Sequence, residues 1–440
     1  MLHIFNSKSN KIEKFVPNNY PNVLMYVCGP TVYDHIHIGN ARPIIFFDML
    51  KRYLEAIGYK VTYATNITDI DDKIINRAID EGKTEKEIAN HFIIETKKLF
   101  PKLNVKTPDL MPKATDYINH MVEYIDNLVQ KGFAYEKDGD VYFRVSKIQE
   151  YGEISRQNID KLFGGARIEI SDIKEDPKDF NLWKKTDIGI AYDSKWGKGR
   201  PGWHTECAVM NHEIFNQELD IHGGGIDLKF PHHENENAQS IAHNGHGLSK
   251  YWMHSAFINL TDTKMSKSLG NVISVVDLEK DYDLIAYRLL VLAHHYQQPI
   301  NYSDDLMKQY QDEYNKINRA LKNAFVKFEL ENIEIDEDLL DKDSLVKFYN
   351  EMNQNLNTPN AITVVYELVK SVNREKDLTE LQKYYNSLIM ILKILGFEFE
   401  FKKLTKEDKD TFNKWNEARS KKDYETADKY RALLQEKGLI

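Results

Sequence analysis

Apolar residues near the N-terminus follow two different periods. Residues 23–27 form a short apolar run that is typical of a buried strand. Apolar positions over 46–57 recur at helical spacing, with Pro43 suited to the first helical position and Gly58 to the position after the helix. The β-branched and aromatic run at 59–65 predicts a second strand. Strand, helix and strand in this order predict a βαβ unit and the start of a parallel sheet.

The middle of the chain changes from a helical period to a strand period. Thr84 and Glu87 form a capping box that predicts a helix ending near Phe100. Residues 115–131 have the spacing of another amphipathic helix. The period becomes two over 133–145, which is typical of a β-hairpin, and the turn-rich stretch that follows indicates an insertion in the sheet domain.

The sheet pattern returns in the second half of the chain. Residues 219–222 have the composition of a short strand that leads into three glycines, and Pro231 opens a further helix. From Ser303 onward the apolar spacing is helical, with breaks near Pro359 and over 397–404. The pattern as a whole predicts an α/β fold with a parallel sheet and an insertion, followed by helices.

Composition and charge exclude several classes of protein. The 440 residues are 42% hydrophobic and 29% charged, as in ordinary globular proteins. No stretch approaches the ~18 apolar residues of a membrane span, and the first residues lack the apolar core of a secretion signal, so we expect a cytoplasmic protein without membrane contact. The net charge of −9 does not indicate a general nucleic-acid binder, although residues 401–440 carry eleven Lys or Arg against eight Asp or Glu.

The loop after the first predicted strand carries candidate chemistry. It contains Cys28 and His37, and Gly39 and Asn40 lead from it toward the first helix. Free backbone N–H groups and the positive end of the helix dipole favour an anion at such a junction. This loop is therefore predicted to bind phosphate groups, because ligands gather at the carboxyl ends of parallel strands.

A candidate metal site combines residues from three parts of the chain. His232 and Glu236 are four positions apart and share one helical face, and Cys28 and Cys207 add two thiols. Two sulfurs, one nitrogen and one oxygen suit zinc. The alternative is an exposed His–Glu pair and two buried thiols. The placement of the cysteines and His232 at loops or helix starts on one edge of the sheet favours the metal site.

Two lysines form a candidate phosphate clamp. Lys264 and Lys267 lie in a small, polar segment, Lys264-Met-Ser-Lys-Ser268, which could approach phosphates from the side opposite the helix N-terminus. The alternative is an exposed basic turn.

These motifs resemble those of a known enzyme family. His37-Ile-Gly-Asn40 and Lys264-Met-Ser-Lys-Ser268 are similar to the two signatures of class I aminoacyl-tRNA synthetases. Their flanks, MYVCGPTVYD, NITDIDDKI, GRPGWHTEC and DIHGGGIDLKFPHHENE, resemble the cysteinyl-tRNA synthetases in particular. The resemblance extends from the N-terminus to about Ser303 and then becomes a general helical pattern.

The resemblance implies ATP-dependent ligation of L-cysteine to tRNA(Cys) through a cysteinyl-adenylate. His37 and Lys267, supported by Lys264, would stabilise charge on the phosphates during catalysis. ATP, accompanied by Mg²⁺, would contact these three residues together with Gly39 and Asn40.

The resemblance also implies how the amino acid is recognised. One zinc ion per chain would be held by the four candidate ligands Cys28, Cys207, His232 and Glu236. The substrate's sulfur would bind this zinc directly, which separates cysteine from serine because a soft metal favours a thiolate over a hydroxyl. The amino and carboxylate groups of cysteine would contact Thr68, Trp203 and Asp227.

Two features depart from the family pattern. Asn40 stands where the signature usually has a second histidine, and Asn can still donate a hydrogen bond to the nucleotide. The chain ends at residue 440, earlier than many relatives, in the part of the family that reads the anticodon.

The expected architecture is a Rossmann-like catalytic domain with an insertion, an α-helical bundle and a short helical tail, acting as a monomer. The catalytic domain is expected to comprise a first half at 1–115, a connective insertion at 116–199 and a second half with the zinc site at 200–258. The loop of Lys264 with a stem-contact region would follow at 259–305. A tRNA-binding helical bundle at 306–400 and an anticodon-side tail at 401–440 would complete the chain.

Two alternatives share these motifs. A cysteine ligase of the same lineage could act on an amino-sugar, and a non-catalytic zinc-bearing RNA-binding relative could have lost the reaction. The helical C-terminal third favours tRNA over an amino-sugar, and the presence of His37 and Lys267 disfavours a non-catalytic protein.

Overall fold

The computed structural model describes residues 1–156, 174–260 and 272–440, together with the backbone of Thr263–Lys264. Lys267 and the side chain of Lys264 therefore lie outside the described residues. The chain forms two compact units. The α/β unit comprises residues 1–281 and 296–302, and the helical unit comprises residues 282–295 and 303–440.

All described strands belong to the α/β unit. They are β1 His3–Asn6, β2 Lys11–Lys14, β3 Asn22–Val27, β4 Lys60–Thr65, β5 Ala134–Lys137, β6 Asp140–Phe143, β7 Phe180–Lys185, β8 Gly199–Pro201, β9 Leu219–Gly225, β10 Ser249–Ser255, β11 Ile258–Leu260, β12 Thr263–Lys264 and β13 Ile300–Tyr302.

The described α-helices occur in both units. Those of the α/β unit are α1 Ile38–Ala56, α2 Asp72–Glu81, α3 Glu85–Lys102, α4 Ile118–Gln130, α5 Trp203–Phe215, α6 His232–Asn244 and α7 Val275–Leu278. Those of the helical unit are α8 Leu284–Leu292, α9 Asp304–Leu330, α10 Lys342–Asn353, α11 Thr358–Arg374, α12 Leu378–Leu395, α13 Lys406–Ser420 and α14 Tyr424–Glu436.

The central sheet of the α/β unit is parallel, as the strand and helix periods predict. Its four strands lie in the order β10-β9-β3-β4, and every neighbouring pair is parallel. The chain leaves β3 toward β4 on one side, while β9 pairs with β3 on the other. The strand order therefore reverses between β3 and β9, and the crevice at such a point is where open α/β sheets bind ligands.

The first helix begins five residues before the predicted start at Pro43. His37 is its N-cap: the His37 side chain accepts a hydrogen bond from the Asn40 N–H, and the Asn40 side chain accepts one from the His37 N–H. Pro43 therefore lies inside the helix. A reciprocal cap at the N-terminus sets the helix start, and the pyrrolidine ring is accommodated within the early turns.

The insertion contains more regular structure than its turn-rich sequence suggests. The predicted hairpin is confirmed as β5 and β6, joined through Asp138 and Gly139, which both have positive φ. Strands β7 and β8 extend it into an antiparallel sheet of four strands in the order β5-β6-β7-β8. Buried Phe143, Leu182 and Trp183 of this sheet belong to the same apolar core as Tyr26 of the central sheet.

The helical unit has the helices that the spacing predicts after Ser303. The Ser303 hydroxyl caps α9 by accepting from the Leu306 N–H. The break predicted near Pro359 is the start of α11, where this proline occupies the first turn. The break predicted over 397–404 separates α12 from α13. Among the helices that the structure describes, none has both the length and the apolar character needed to cross a bilayer.

Candidate metal centre and adjoining cleft

Cys28 lies at the point where the strand order of the central sheet reverses. It directly follows β3, and its backbone N–H donates to the carbonyl oxygen of Gly223 in the neighbouring strand β9. The loop therefore leaves the sheet beside the glycine-rich end of β9. Gly29 suits this exit, because a Cβ there would lie 2.1 Å from the carbonyl oxygen of Asn66.

The four predicted metal ligands come together in the structure. The ligand atoms of Cys28, Cys207, His232 and Glu236 all lie within 4.8 Å of one another. The Sγ atom of Cys28 is 3.6 Å from the Sγ of Cys207 and 3.3 Å from Oε1 of Glu236. Nε2 of His232 lies 2.6 Å from the same Oε1. These residues are on three separate elements, as the sequence pattern predicts.

The helices explain this convergence. His232 and Glu236 are one turn apart on α6, so both face the end of β3. Cys207 lies in the second turn of α5, beyond the loop or helix start that the sequence predicts for it. The difference arises because Gly202 already provides the extended N-cap and Trp203 begins the helix.

The electrostatics of the cluster are those of tightly coupled buried groups. Burial acts to lower the pKa of His232, but the carboxylate of Glu236 and hydrogen bonds with Cys207 and Glu236 raise that pKa to about 10. Burial acts to raise the pKa of Glu236. The charges of His232 and His222 and their hydrogen bonds with the carboxylate have a larger effect, so this pKa is well below its usual range. His232 and Glu236 thus form an imidazolium–carboxylate pair when no metal is bound.

The two thiols differ in their tendency to ionise. Burial raises the pKa of Cys28, and the neighbouring Cys207 and Glu236 raise it further. Burial also acts to raise the pKa of Cys207, but hydrogen bonds with Cys28 and His232 bring it down to about 7. Cys207 is therefore the thiol that ionises first, and a bound cation would favour ionisation of both.

A group of histidines around the cluster was not predicted from the sequence. Nε2 of His222 lies 2.7 Å from Oε2 of Glu236, and Nδ1 of His204 lies 2.9 Å from Nδ1 of His232. His233 is fully buried and contacts His254 through ring nitrogens 2.8 Å apart. The signal that could have identified His222 is its position in β9, next to the strand that ends at Cys28.

These histidines create a second possible ligand set. Cys28, His222, His233 and Glu236 also bring their ligand atoms within 4.8 Å of one another. Both sets share Cys28 and Glu236. The set with Cys207 and His232 contains two thiols, and soft sulfur ligands select zinc over the hard cations that prefer oxygen. The residues present therefore fit a metal ion of that type.

A cleft of about 570 Å³ adjoins the cluster. The predicted site residues that line it are Cys28, His37, Gly39, Asn40, Trp203 and Asp227. Trp203 stacks on His232 with ring centroids 4.2 Å apart, so the indole separates part of the metal cluster from the cleft. The cleft falls within the range of roughly 300–1,000 Å³ that small-molecule sites occupy.

Thr68, the remaining residue predicted to contact cysteine, is not among the described residues that line the cleft. It is buried, and its hydroxyl oxygen accepts a hydrogen bond from the Asn66 side chain at 3.0 Å. The same hydroxyl pairs with the carboxyl group of Glu206. Thr31, which forms a parallel bridge with Thr68, and Asn66 both line the cleft.

The segment that contains His37 pairs with the chain that follows the second signature. His37 and Ser274 form an antiparallel bridge, the Ile38 N–H donates to the Ile273 carbonyl oxygen, and the Val275 N–H donates to the Ile36 carbonyl oxygen. Residues 273–275 are thereby tied to the start of α1. Lys264 and Lys267 themselves cannot be placed against the cleft, since they fall in the stretch whose side chains are not described.

Two family descriptions match this chain. Residues 14–312 match the family described as tRNA synthetases class I (C) catalytic domain, and residues 347–400 match the DALR domain.

Relatives that align over the full length of this chain are named cysteine–tRNA ligase. The chain is 49% identical to the cysteine–tRNA ligase of Acholeplasma laidlawii (strain PG-8A) over 440 residues, which is 100% of both chains. It is 46% identical to the cysteine–tRNA ligase of Onion yellows phytoplasma (strain OY-M) over 441 residues, again 100% of both. The cysteine–tRNA ligase of Brevibacillus brevis is 40% identical over 453 residues, covering 100% of this chain and 97% of that protein.

Solved structures with low sequence identity share the fold. Mycobacterium tuberculosis methionyl-tRNA synthetase in complex with methionyl-adenylate has a TM-score of 0.61 at 14% identity and covers 85% of this chain and 89% of that one. The agnB2 LeuRS–tRNA–LeuAMS ternary complex of Agrobacterium radiobacter K84 has a TM-score of 0.63 at 11% identity, covering 87% and 85%. These likenesses support the α/β arrangement.

Proposed function

The chain belongs to the cysteine–tRNA ligase family, and from that premise we propose how its residues carry out the ligation. The α-carboxylate of L-cysteine attacks the α-phosphate of ATP, and pyrophosphate leaves. A hydroxyl of the terminal ribose of tRNA(Cys), first the 2′-hydroxyl, then attacks the carbonyl carbon of the cysteinyl-adenylate. AMP leaves, and the cysteinyl ester remains on the tRNA.

The observation that carries this proposal is the position of the metal cluster against the cleft. Cys28 belongs to both, because its Sγ lies among the four candidate ligands and the residue lines the cleft. A substrate thiol next to Cys28 would have its carboxylate within the space that His37 and Asn40 border. Holding the carboxylate and the α-phosphate in one cleft converts a bimolecular encounter into a step between oriented groups.

We propose zinc as the metal, held by Cys28, Cys207, His232 and Glu236. A bound zinc ion supplies a soft Lewis acid for the thiolate of the substrate, which a serine hydroxyl matches poorly. The protein contributes the geometry: α6 fixes His232 and Glu236 on one face, and Trp203 covers the imidazole of His232. The His204 ring nitrogen 2.9 Å from Nδ1 of His232 restricts the orientation of this ligand.

We propose that the phosphates of ATP, with Mg²⁺, lie at the N-terminus of α1. Gly39 lines the cleft there, and its lack of a side chain allows close approach of the nucleotide to the backbone. His37, as the N-cap, stands at the positive end of the helix dipole. We propose that Lys264 and Lys267 approach the phosphates from the side opposite the N-terminus of α1. This proposal rests on their place in the Lys264–Ser268 signature.

The remaining groups of the amino acid are assigned to Asp227, Trp203 and Thr68. Asp227 lines the cleft and carries a carboxylate that suits the ammonium group of cysteine. Trp203 borders the cleft beside His232. Thr68 acts by positioning, since its hydroxyl supports Asn66 and the carboxyl group of Glu206.

The helical unit supports tRNA over an amino-sugar as the acceptor. The DALR-domain match covers 347–400 of this unit, and full-length tRNA ligases align over the whole chain. Incubation of the protein with labelled cysteine, ATP and either a tRNA(Cys) transcript or glucosamine tests the choice. Label on the transcript supports the proposal, and label on the sugar alone would contradict it.

We further propose a monomer that works in the cytoplasm, where aminoacyl-tRNA is consumed. Light scattering during gel filtration tests the first point: a mass near 51.5 kDa is expected, and a stable mass of twice that value would contradict it. Fractionation of the source cells tests the second.

A further inference from the structure

A series of hydrogen bonds runs through Asn66, which directly follows β4. The Gly29 N–H donates to Oδ1 of Asn66 at 2.8 Å, and Nδ2 of Asn66 donates to the Thr68 hydroxyl oxygen at 3.0 Å. A backbone N–H can only donate, so the amide oxygen of Asn66 must face Gly29. The Thr68 hydroxyl group forms a further hydrogen bond with the carboxyl group of Glu206. These four residues form a continuous polar network.

The polar network ends beside two of the predicted metal ligands. Gly29 directly follows Cys28 in the sequence. Glu206 directly precedes Cys207. The network therefore connects the residue next to one thiol ligand with the residue next to the other, although 179 positions separate the two cysteines.

The separation of the two sulfur atoms matters for the metal. A tetrahedral zinc ion with two sulfur ligands at about 2.3 Å places those sulfurs about 3.8 Å apart. The sulfur atoms of Cys28 and Cys207 lie 3.6 Å apart, so little movement is needed for both to bind one ion. We propose that Asn66 is a positioning residue that maintains this separation through the polar network. The inference rests on the proposed function, with zinc as its metal, and adds to it a determinant of zinc retention and cysteine binding.

The residues on either side of Asn66 in the sequence are both anchored. The Thr65 hydroxyl donates to the Val27 carbonyl oxygen at 2.8 Å, in the strand that leads to the metal cluster. The Ile67 N–H donates to the Pro112 carbonyl oxygen at 2.8 Å. A side chain between two anchored residues has a fixed position, which is what a positioning role requires.

A direct contact between Asn66 and the substrate is the alternative, because Asn66 is among the residues that line the cleft. The burial of Asn66 favours positioning. Only 3% of the residue is exposed, and its amide oxygen and amide nitrogen are both hydrogen-bonded within the protein. Asn66 would therefore act on the substrate through Gly29 and Thr68.

The first test removes the centre of the network. We expect zinc to dissociate about tenfold faster from Asn66→Ala than from wild type in excess chelator, because hydrogen bonds that orient metal ligands contribute about 10–100-fold to metal affinity. The KM for cysteine in ATP–pyrophosphate exchange should also rise about tenfold. The kcat of exchange should fall by no more than about twofold, because the phosphate site at α1 is outside the network and uniform binding affects KM alone.

Asn6→Ala is the matched control. Asn6 is also buried in the α/β unit, where its amide donates to the Lys250 carbonyl oxygen and accepts from the Trp252 N–H. It is not among the described residues that line the cleft. Zinc dissociation and the KM for cysteine in Asn6→Ala should equal those of wild type, which separates loss of any buried amide from loss of the network.

The second test changes the next residue in the network. Thr68→Val removes the hydroxyl group and should release zinc as fast as Asn66→Ala, whereas Thr68→Ser keeps the hydroxyl group and should restore slow release. The double variant Asn66→Ala/Thr68→Val should release zinc no faster than either single variant, because each change already interrupts the same network. If Asn66→Ala does not fold, the comparison of Thr68→Val with Thr68→Ser decides the question alone.

The outcomes separate the two levels of the proposal. If wild type shows no cysteine-dependent exchange, the proposed function fails. If exchange is intact but Asn66→Ala and Thr68→Val release zinc at the wild-type rate, Asn66 does not position the thiol ligands. A raised KM for cysteine in Asn66→Ala with unchanged zinc release would assign Asn66 to direct contact with the substrate and would also overturn the inference. Additive effects in the double variant would contradict a single network.

Discussion

The sulfur atoms of Cys28 and Cys207 lie 3.6 Å apart, although the residues are separated by 179 positions in the sequence. One follows a central strand and the other lies in α5, and both are free thiols. They meet at the carboxyl end of β3, where α6 adds His232 and Glu236. This contact is the basis of the first prediction.

Replacing Cys207 by Ser should remove most of the zinc and raise the KM for cysteine. A hydroxyl is a much weaker zinc ligand than a thiolate, and the remaining three ligands would hold the ion poorly. Metal analysis and ATP–pyrophosphate exchange on one preparation measure both effects. His246→Ala, which changes an exposed histidine just beyond α6, is the control and should leave both values unchanged. Normal zinc content in the Cys207 variant would show that the ion is held elsewhere.

Removing the Asn40 side chain should weaken the N-terminal cap of α1. Asn40→Ala leaves the His37 N–H without its side-chain acceptor, with an expected loss of about 1 kcal/mol. Because the same cap orients the His37 ring, the adenylation rate should fall several-fold. Gln at this position can restore the reciprocal hydrogen bonds. If the exchange rates of wild type and Asn40→Ala are equal at every ATP concentration, the helix cap does not contribute to catalysis.

Replacing Lys267 by Ala should raise the adenylation barrier by about 2 to 4 kcal/mol, as the loss of a donor to a developing oxyanion does. This expectation rests on the signature in the sequence. Lys280→Ala, at an exposed lysine in the same region, serves as the control. Pre-steady-state adenylate formation measures the step directly, and an unchanged rate would remove Lys267 from the catalytic residues.

The C-terminal helical pair should lose stability in acid. Hydrogen bonds from Lys437 and Thr405 lower the pKa of Asp408 to about 2. A carboxyl group whose pKa is depressed by folding stabilises the folded state above its unfolded pKa of about 4, and this contribution is lost as the pH falls toward 2. Asp408→Asn should therefore destabilise the pair by about 1 kcal/mol at pH 7 and have little effect at pH 2.

Hydrogen exchange over residues 406–436 measures this stability locally. Exchange should be faster in Asp408→Asn than in wild type at pH 7. Asp410→Asn, on the same helix, is the comparison and should leave the exchange rates unchanged. A difference between Asp408→Asn and wild type that is as large near pH 2 as at pH 7 would contradict the assigned pKa.

The sequence predicts that Cys28, Cys207, His232 and Glu236 come together, because these residues sit on recognisable local patterns. His232 and Glu236 are at helical spacing, and Cys28 follows a buried strand. The parallel sheet follows from the βαβ order, and ligands collect at the carboxyl ends of its strands. Local pattern and general topology together are enough to place these residues at one edge.

Other features depend on contacts that no local pattern contains. The start of α1 differs from the prediction because His37 caps the helix, and histidine is not among the usual N-cap residues. The histidines around Glu236 come from β9, α5 and β10, so only the folded sheet brings them together. The burial of Thr68, whose hydroxyl oxygen accepts a hydrogen bond from Asn66, likewise depends on tertiary packing.

ATP–pyrophosphate exchange with cysteine and with serine, with zinc content determined on the same sample, tests directly whether bound zinc selects the amino acid. We expect rapid exchange with cysteine, little with serine, loss of the cysteine reaction on removal of zinc, and recovery when zinc is returned. Equal exchange with both amino acids, or full cysteine-dependent exchange by zinc-free protein, would contradict this expectation.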